Sequence, residues 1–501
     1  MRNSMRGFLS IFTSLILFTS LISAPSANAW SSAQTTVSVF GGTLNDSGVA
    51  IAVDSSGNVY TTGFFTGTVD FDPRDGTTNL TSAGAIDAFV SKLNSSGDLI
   101  WAKSFGGSSI DLGYSIAVDS GGNVYTTGYF YDIVDFDPGT GITNLTSAGY
   151  EDVFVSKLNS SGALIWAKSI GGSSDDEGNS IAVDSSGNVY TTGYFQDTVD
   201  FDPGAGTTNL TSAGANDAFV SKLDSSGELI WAKSFGGASP DEGNSIAVDS
   251  SGNVYTTGFF TGTADFNPGT GITNLALVGY QDVFVSKLNS SGNYVWANSF
   301  GVTSYYKYST SITVDSSGNI YTTGTNTVLI TDPFSFAPNI FVSKLNSSGS
   351  LLWEKSFGGS SFDAGWSVAV DSSGNVYTTG YFEGTVDFDP GDGTTNLTSA
   401  GANDAFVLKL SPSGDVQDGT AAEAARVAAA NAEAARAAEA ARKAKEQREL
   451  TEILALIPKI GELTLSLGET TKSLYSTKCV KGKTTKYVKK GAKCPIGYVK
   501  K

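Results

Sequence analysis

Short segments of alternating apolar and polar residues, bounded by Gly, Asn, Asp and Ser, fill most of this 501-residue chain. A period of two marks strands with one buried face, and the bounding residues accept turn geometry. Ser115 to Val118 reads as one strand, Asp119-Ser120-Gly121-Gly122-Asn123 as a tight turn, and Val124 to Phe130 as the return strand. Val153 to Leu158 follows as a third strand. Asn159-Ser160-Ser161-Gly162 is a second turn, and Leu164 to Ile170 a fourth strand.

The same unit recurs along the chain. V-D-S-S-G-N-V-Y or a close variant begins at Val53, Val118, Val183, Val248, Val314 and Val370, at spacings of 65, 65, 65, 66 and 56. The Asp of D-A/V-F-V-S-K-L falls at Asp87, Asp152, Asp217, Asp282 and Asp404, with Asn339 in the fifth copy. The Trp of W-A-K-S-F-G-G falls at Trp101, Trp166, Trp231, Trp296 and Trp353. Four antiparallel strands repeated at a near-constant period predict an all-β fold, a six-bladed β-propeller over residues 30–417. Phe40-Gly41-Gly42 stands 65 residues before Phe105-Gly106-Gly107, with Thr36 where the Trp would be. The last unit ends at Val416 with no such strand after it. An N-terminal strand at 35–42 can therefore complete the last blade, close the ring and remove a free sheet edge. An open stack of hairpins is the alternative.

The combined pattern S-I-A-V-D-S-S-G-N-V-Y-T-T-G, D-A-F-V-S-K-L-N-S-S-G and L-I-W-A-K-S-F-G-G resembles the bacterial SBBP-type β-propeller repeat, over about residues 35 to 416. The resemblance implies an exported bacterial protein, and implies fold and location better than activity. The fifth unit departs from it. It is shortened at 325–339 and lacks the D-F-D-P-G segment.

Outside the repeats, residues 1–29 read as a signal peptide. Arg2 and Arg6 precede the apolar stretch Phe8 to Ile22, and Ala27-Asn28-Ala29 is a cleavage site. The stretch is shorter than a membrane span needs, so no span is expected in the mature chain. Residues 418–477 open with an Ala-rich segment carrying Glu and Arg three apart, which predicts a helical spacer or a coiled coil. Residues 478–501 hold nine lysines, no acid, and both cysteines, Cys479 and Cys494. Export makes a disulfide between these two plausible, with free thiols as the alternative. This tail is similar to short basic C-terminal modules of exported bacterial proteins. Its positive face suits an anionic cell-envelope polymer.

Composition removes several chemistries. The chain has no histidine, so His-based acid–base catalysis and His-ligated metals are excluded. Residues 30–419 carry 41 acidic against 12 basic side chains, which argues against nucleic acid as a partner. Carboxylates remain. D-F-D-P-G places Asp70 with Asp72, Asp135 with Asp137, Asp200 with Asp202, and Asp387 with Asp389; the fourth unit has Asp265 with Asn267. Residues two apart on a strand share a face, so each pair can offer oxygens together, and calcium is the cofactor such ligands suit. The competing reading makes them turn formers. The Trp series likewise reads as sugar-stacking or as packing between blades. Near-identical units favour an exported, non-enzymatic surface module for a protein or glycan ligand, held by the helical spacer and basic tail. The rival is a lyase or hydrolase using a carboxylate-held metal.

Overall fold

The computed structural model describes residues 40–301, 306–329, 336–391, 393–416 and 477–501. The expected signal peptide at 1–29, residues 35–39 of the expected closing strand, and residues 418–476 of the expected spacer lie outside the described residues. The chain divides into two compact units, 1–417 and 418–501.

The first is all-β among the described residues. Six antiparallel sheets follow one another, one for each copy of the repeat. In unit 3 the strands are Glu177–Val183, Val189–Phe195, Asp217–Leu223 and Leu229–Gly237, each paired with the next in sequence. Among the described residues, units 1 to 5 each have these four strands and unit 6 has three, ending with Asn396–Leu410. The V-D-S-S-G-N turn joins strands one and two, and the N-S-S-G turn joins three and four. Both close on a glycine at positive φ, such as Gly187 and Gly227. The first strands of successive units lie side by side from unit 1 to unit 6. The D-F-D-P-G segments form a small hairpin beside the outermost strand of the preceding unit, where Gly106 bridges Asp135 and Gly171 bridges Asp200.

The three sequence markers meet at the seams between units. Tyr60 is fully buried, and its hydroxyl donates to Asp54 at 3.0 Å. Lys92 lies over the Tyr60 ring, 4.9 Å from its centre, and donates to the carbonyl of Ser160 in the next unit. The Trp101 indole N–H donates to that same carbonyl at 3.1 Å. Gly162, in the turn carrying Ser160, has φ 79°, and a Cβ there would stand 3.0 Å from the Trp101 ring. Two demands thus select glycine at one position. Trp166, Trp231, Trp296 and Trp353 make the same bond to the following unit, so the tryptophans serve packing between units. Apolar clusters fill each seam: Tyr60, Ala88 and Val90 of unit 1 pack with Ile116, Val124 and Phe130 of unit 2.

The second unit, where described, is a three-stranded sheet. Thr477–Lys481 is central, flanked by Thr484–Val488 and Val499–Lys500. Cys479 and Cys494 are joined by a disulfide. The expected hairpin therefore carries an additional short strand.

Candidate functional site

The first strand of each unit has a constant end and a variable end. At the constant end, the Asp of V-D-S-S-G-N is a hub. Asp184 Oδ1 accepts the backbone N–H of Ser186 and Asn188, while Oδ2 accepts the Asn188 amide and the Tyr190 hydroxyl. Burial works against the charged form, yet these four donors together hold its carboxyl below the usual range. Clefts of roughly 340–400 Å³ lie between successive hairpins, as between Asp184 and Asp249. Their tyrosine and aspartate atoms are already engaged with each other.

The D-F-D-P-G aspartates are braces of another turn. Asp135 Oδ1 accepts the N–H of Asp137 at 3.0 Å and of Thr143 at 2.8 Å. Asp137 Oδ1 in turn accepts from Gly139 at 2.8 Å. Asp70, Asp200 and Asp387 repeat the first pattern, and Asp72, Asp202 and Asp389 the second. Asp265 and Asn267 do the same in unit 4. Each pair stands on its own outer hairpin, away from the first strands. Among the described residues, no three His, Cys, Asp or Glu side chains are grouped so as to hold a metal.

The variable end is where the first strand begins. Six residues before the Val of V-D-S-S-G-N, at or next to the start of the strand, stands Ser47, Leu112, Glu177, Glu242, Tyr308 or Ala364. In units 2 to 4 this divergence builds one cluster. Glu177 faces Tyr194 across strands one and two of unit 3 and accepts its hydroxyl. Glu151 faces Tyr131 in unit 2 and accepts its hydroxyl at 2.5 Å. Tyr114 and Tyr131 both lie edge-on to Tyr129, with ring centres 5.5 and 5.9 Å away. Burial pushes Glu177 up to about 8, reinforced by the negative charges of Glu151 and Glu242. Burial pushes Glu242 up to about 7. Tyr114, Tyr129, Tyr131 and Tyr194 are all raised, chiefly by burial, and their phenols stay protonated.

Buried aspartates stand next to these residues in sequence: Asp152 beside Glu151, Asp176 beside Glu177 and Asp241 beside Glu242. Asp176 accepts the N–H of Gly172 at 2.7 Å and of Gln196 at 3.0 Å. Burial, with Asp152 nearby, pushes it up to about 7. Asp241 likewise rises to about 7, and Asp111, Asp152 and Asp217 to about 6, burial leading in each. One oxygen each of Asp87, Asp152 and Asp217 is buried without a hydrogen-bond partner, which favours the protonated form. In unit 5 the position of Asp241 is taken by Lys307, which pairs with Glu354 at 2.7 Å. The half-buried carboxylates and the tyrosine rings together form a surface suited to a positively charged group.

The repeat model described as "Beta-propeller repeat", SBBP, matches residues 100–129, 165–194, 230–258 and 295–327. The chain carries four SBBP β-propeller repeats. Two curated proteins are similar to this SBBP-repeat chain. An uncharacterised WD repeat-containing protein of Acanthamoeba polyphaga mimivirus is 24% identical over 403 residues, covering 63% of this chain and 29% of the relative. The regulatory protein FlaEY of Caulobacter vibrioides is 31% identical over 122 residues, 24% of this chain and 13% of the relative. The chain thus spans less than a third of either relative. A solved structure of a protein of unknown function from Bacteroides caccae matches with a TM-score of 0.29 and 9% identity, over 71% of this chain and 92% of that one.

Proposed function

We propose that this protein is an exported, non-enzymatic binding module: six units arranged as one propeller ring, with its ligand seated on the variable end of units 2 to 4. A helical spacer and the basic tail would hold the ring at the cell envelope. The carrying observation is the cluster of Glu151, Glu177 and Glu242 with Tyr114, Tyr129, Tyr131 and Tyr194. It lies where the otherwise repetitive units differ. Carboxylates that repel one another gain most from a cation between them, and tyrosine rings add attraction for the same charge. The ligand is therefore a protein or glycan presenting an amine.

Calorimetric titration of the mature chain with chitosan oligosaccharides and with a lysine-rich peptide tests this. Binding of at least one should weaken tenfold or more in the double variant Glu151→Gln with Glu177→Gln. Equal affinity in the variant, or no binding of either probe, would sink the assignment of the site. For the tail, a chain lacking residues 478–501 should lose retention on anionic envelope polysaccharide; unchanged retention would remove the docking role.

A further inference from the structure

Unit 5, with strands Lys307–Val314, Ile320–Leu329, Phe336–Leu345 and Leu351–Phe357, builds one face from different residues. Lys307 stands where unit 4 has Asp241, Asn326 where it has the fully buried Phe260, and Glu354 where it has the buried Ala297. Units 2 and 3 repeat the unit 4 set. Asn339 replaces the aspartate of the third strand. Unit 5 also lacks the D-F-D-P-G phenylalanine. In unit 2 that residue, Phe136, packs on Phe130 and Phe154 with ring centres 5.5 and 5.1 Å apart.

The changes converge on one face. Lys307 is the direct cross-strand partner of Asn326, and Asn326 of Asn339. Phe341 and Ser343 follow Asn339 on the same face of the third strand, and Glu354 is the cross-strand partner of Ser343. Lys307 is 1% exposed and Asn326 7%. The Lys307 Nζ lies 2.7 Å from Glu354 Oε1 and 4.5 Å from the centre of the Phe341 ring. Ser343 Oγ donates to Glu354 Oε2 at 2.7 Å. The Oδ1 atoms of Asn326 and Asn339 are buried without a hydrogen-bond partner. An amine, a carboxylate and a carboxamide are thus enclosed beside an aromatic ring. As a noncovalent arrangement this is costly. A buried ion pair recovers little of what its desolvation takes, and an unpaired buried carbonyl oxygen adds to the cost.

We propose that Lys307 and Asn326 are a modification site, joined by an intramolecular amide bond with Glu354 as the acid–base group. The proposal goes beyond the ligand site of units 2 to 4 and does not depend on it. Glu354 takes a proton from the Lys307 ammonium, and the free amine turns to its cross-strand partner. Directly opposed side chains start about 5 Å apart at Cβ, within reach of the lysine stem. Nζ attacks Cγ of Asn326; the Nζ–Cγ bond forms and the Cγ–Nδ2 bond breaks. Nζ gives up two protons in all, Glu354 passes them to Nδ2, and that nitrogen leaves as ammonium. Nothing is oxidised or reduced, and no further reactant is consumed. The product removes the buried ammonium and ties the first two strands of the unit that has lost its phenylalanine packing.

Intact-mass measurement on the full mature chain tests this. The native chain should be lighter than its sequence, disulfide included, by one ammonia. Proteolysis should release a branched peptide joining Lys307 to Asn326. Glu354→Gln and Lys307→Arg should each keep the full mass, and Glu354→Gln should yield Lys307 and Asn326 in separate, unmodified peptides. A native chain at full mass would overturn the proposal, and that reading does not require either variant to fold. A branch at Asn339 in place of Asn326 would overturn the assigned acceptor, and a bond undiminished in Glu354→Gln would overturn the role of the carboxylate.

Discussion

The two ends of a single strand obey different rules in this protein. At the Asp184 end of Glu177–Val183, every polar atom of the hub is spent inside the unit, and six copies repeat the arrangement. At the Glu177 end, neighbouring units carry Leu112, Glu177 and Glu242, and the carboxyls there are held out of their ordinary range by burial. Identity at one end reflects a seam that must fit its neighbour. Divergence at the other reflects a surface released from that demand.

The largest test breaks the constant end. Tyr190→Ala removes a fully buried ring that carries both the Asp184 bond and the Lys222 contact. A loss of about 3–5 kcal/mol is expected in urea unfolding, as for other large buried aromatics. A loss below about 1 kcal/mol would mean the seam does not rest on this ring. Asp184→Ala removes the acceptor and leaves the ring; about 1–3 kcal/mol should go, with Asn188 and Tyr190 left seeking partners.

The variable end should respond to pH in the opposite sense from the hubs. Glu177, Glu242, Asp176 and Asp241 have folded values of about 7 to 8, above their unfolded ones. Their contribution is fully present below the ordinary carboxylate range and is lost as pH rises through 7 to 8, because the folded state binds more protons. The hub aspartates are depressed, so their contribution is lost only as pH falls below the ordinary range. Glu177→Gln should therefore match the native chain near pH 5 and gain on the order of 1 kcal/mol at pH 9, discounted for its partial exposure. Equal pH profiles for the two chains would show that Glu177 is not held in its neutral form. The smallest expected effect is that of calcium. With the D-F-D-P-G oxygens already braced by backbone N–H groups, millimolar Ca²⁺ should leave the melting temperature in place; a clear rise would restore the outer turns as a metal site.

Much of this was legible in the residues. Val, Tyr and Thr alternation located the strands, and Gly with Asp and Asn located their turns, because both signals are local. The repeat period supplied the seams, and the tryptophans were readable as packing. The role of Lys92 was not, because its partners are Tyr60 and a carbonyl 68 residues away. The glutamate–tyrosine cluster is hidden in the sequence for another reason. The copies are nearly identical in what builds the fold, whereas the cluster is built at a position where Ser47, Leu112, Glu177, Glu242, Tyr308 and Ala364 replace one another. Side chains from three units meet there, and spacing within one unit does not reveal it. The calcium reading drew on paired aspartates whose spacing serves a turn equally well.

The indole-to-carbonyl bond gives the row of units a direction. Trp101 reaches forward to Ser160, Trp166 to Ser225, and Trp231 to Ser290, always from one unit to its successor. A gene duplication that copies a whole unit would therefore copy a finished donor and a finished acceptor, and require no new contact chemistry. Such a chain lengthens by whole units, each seam repeating the contacts of the one before it.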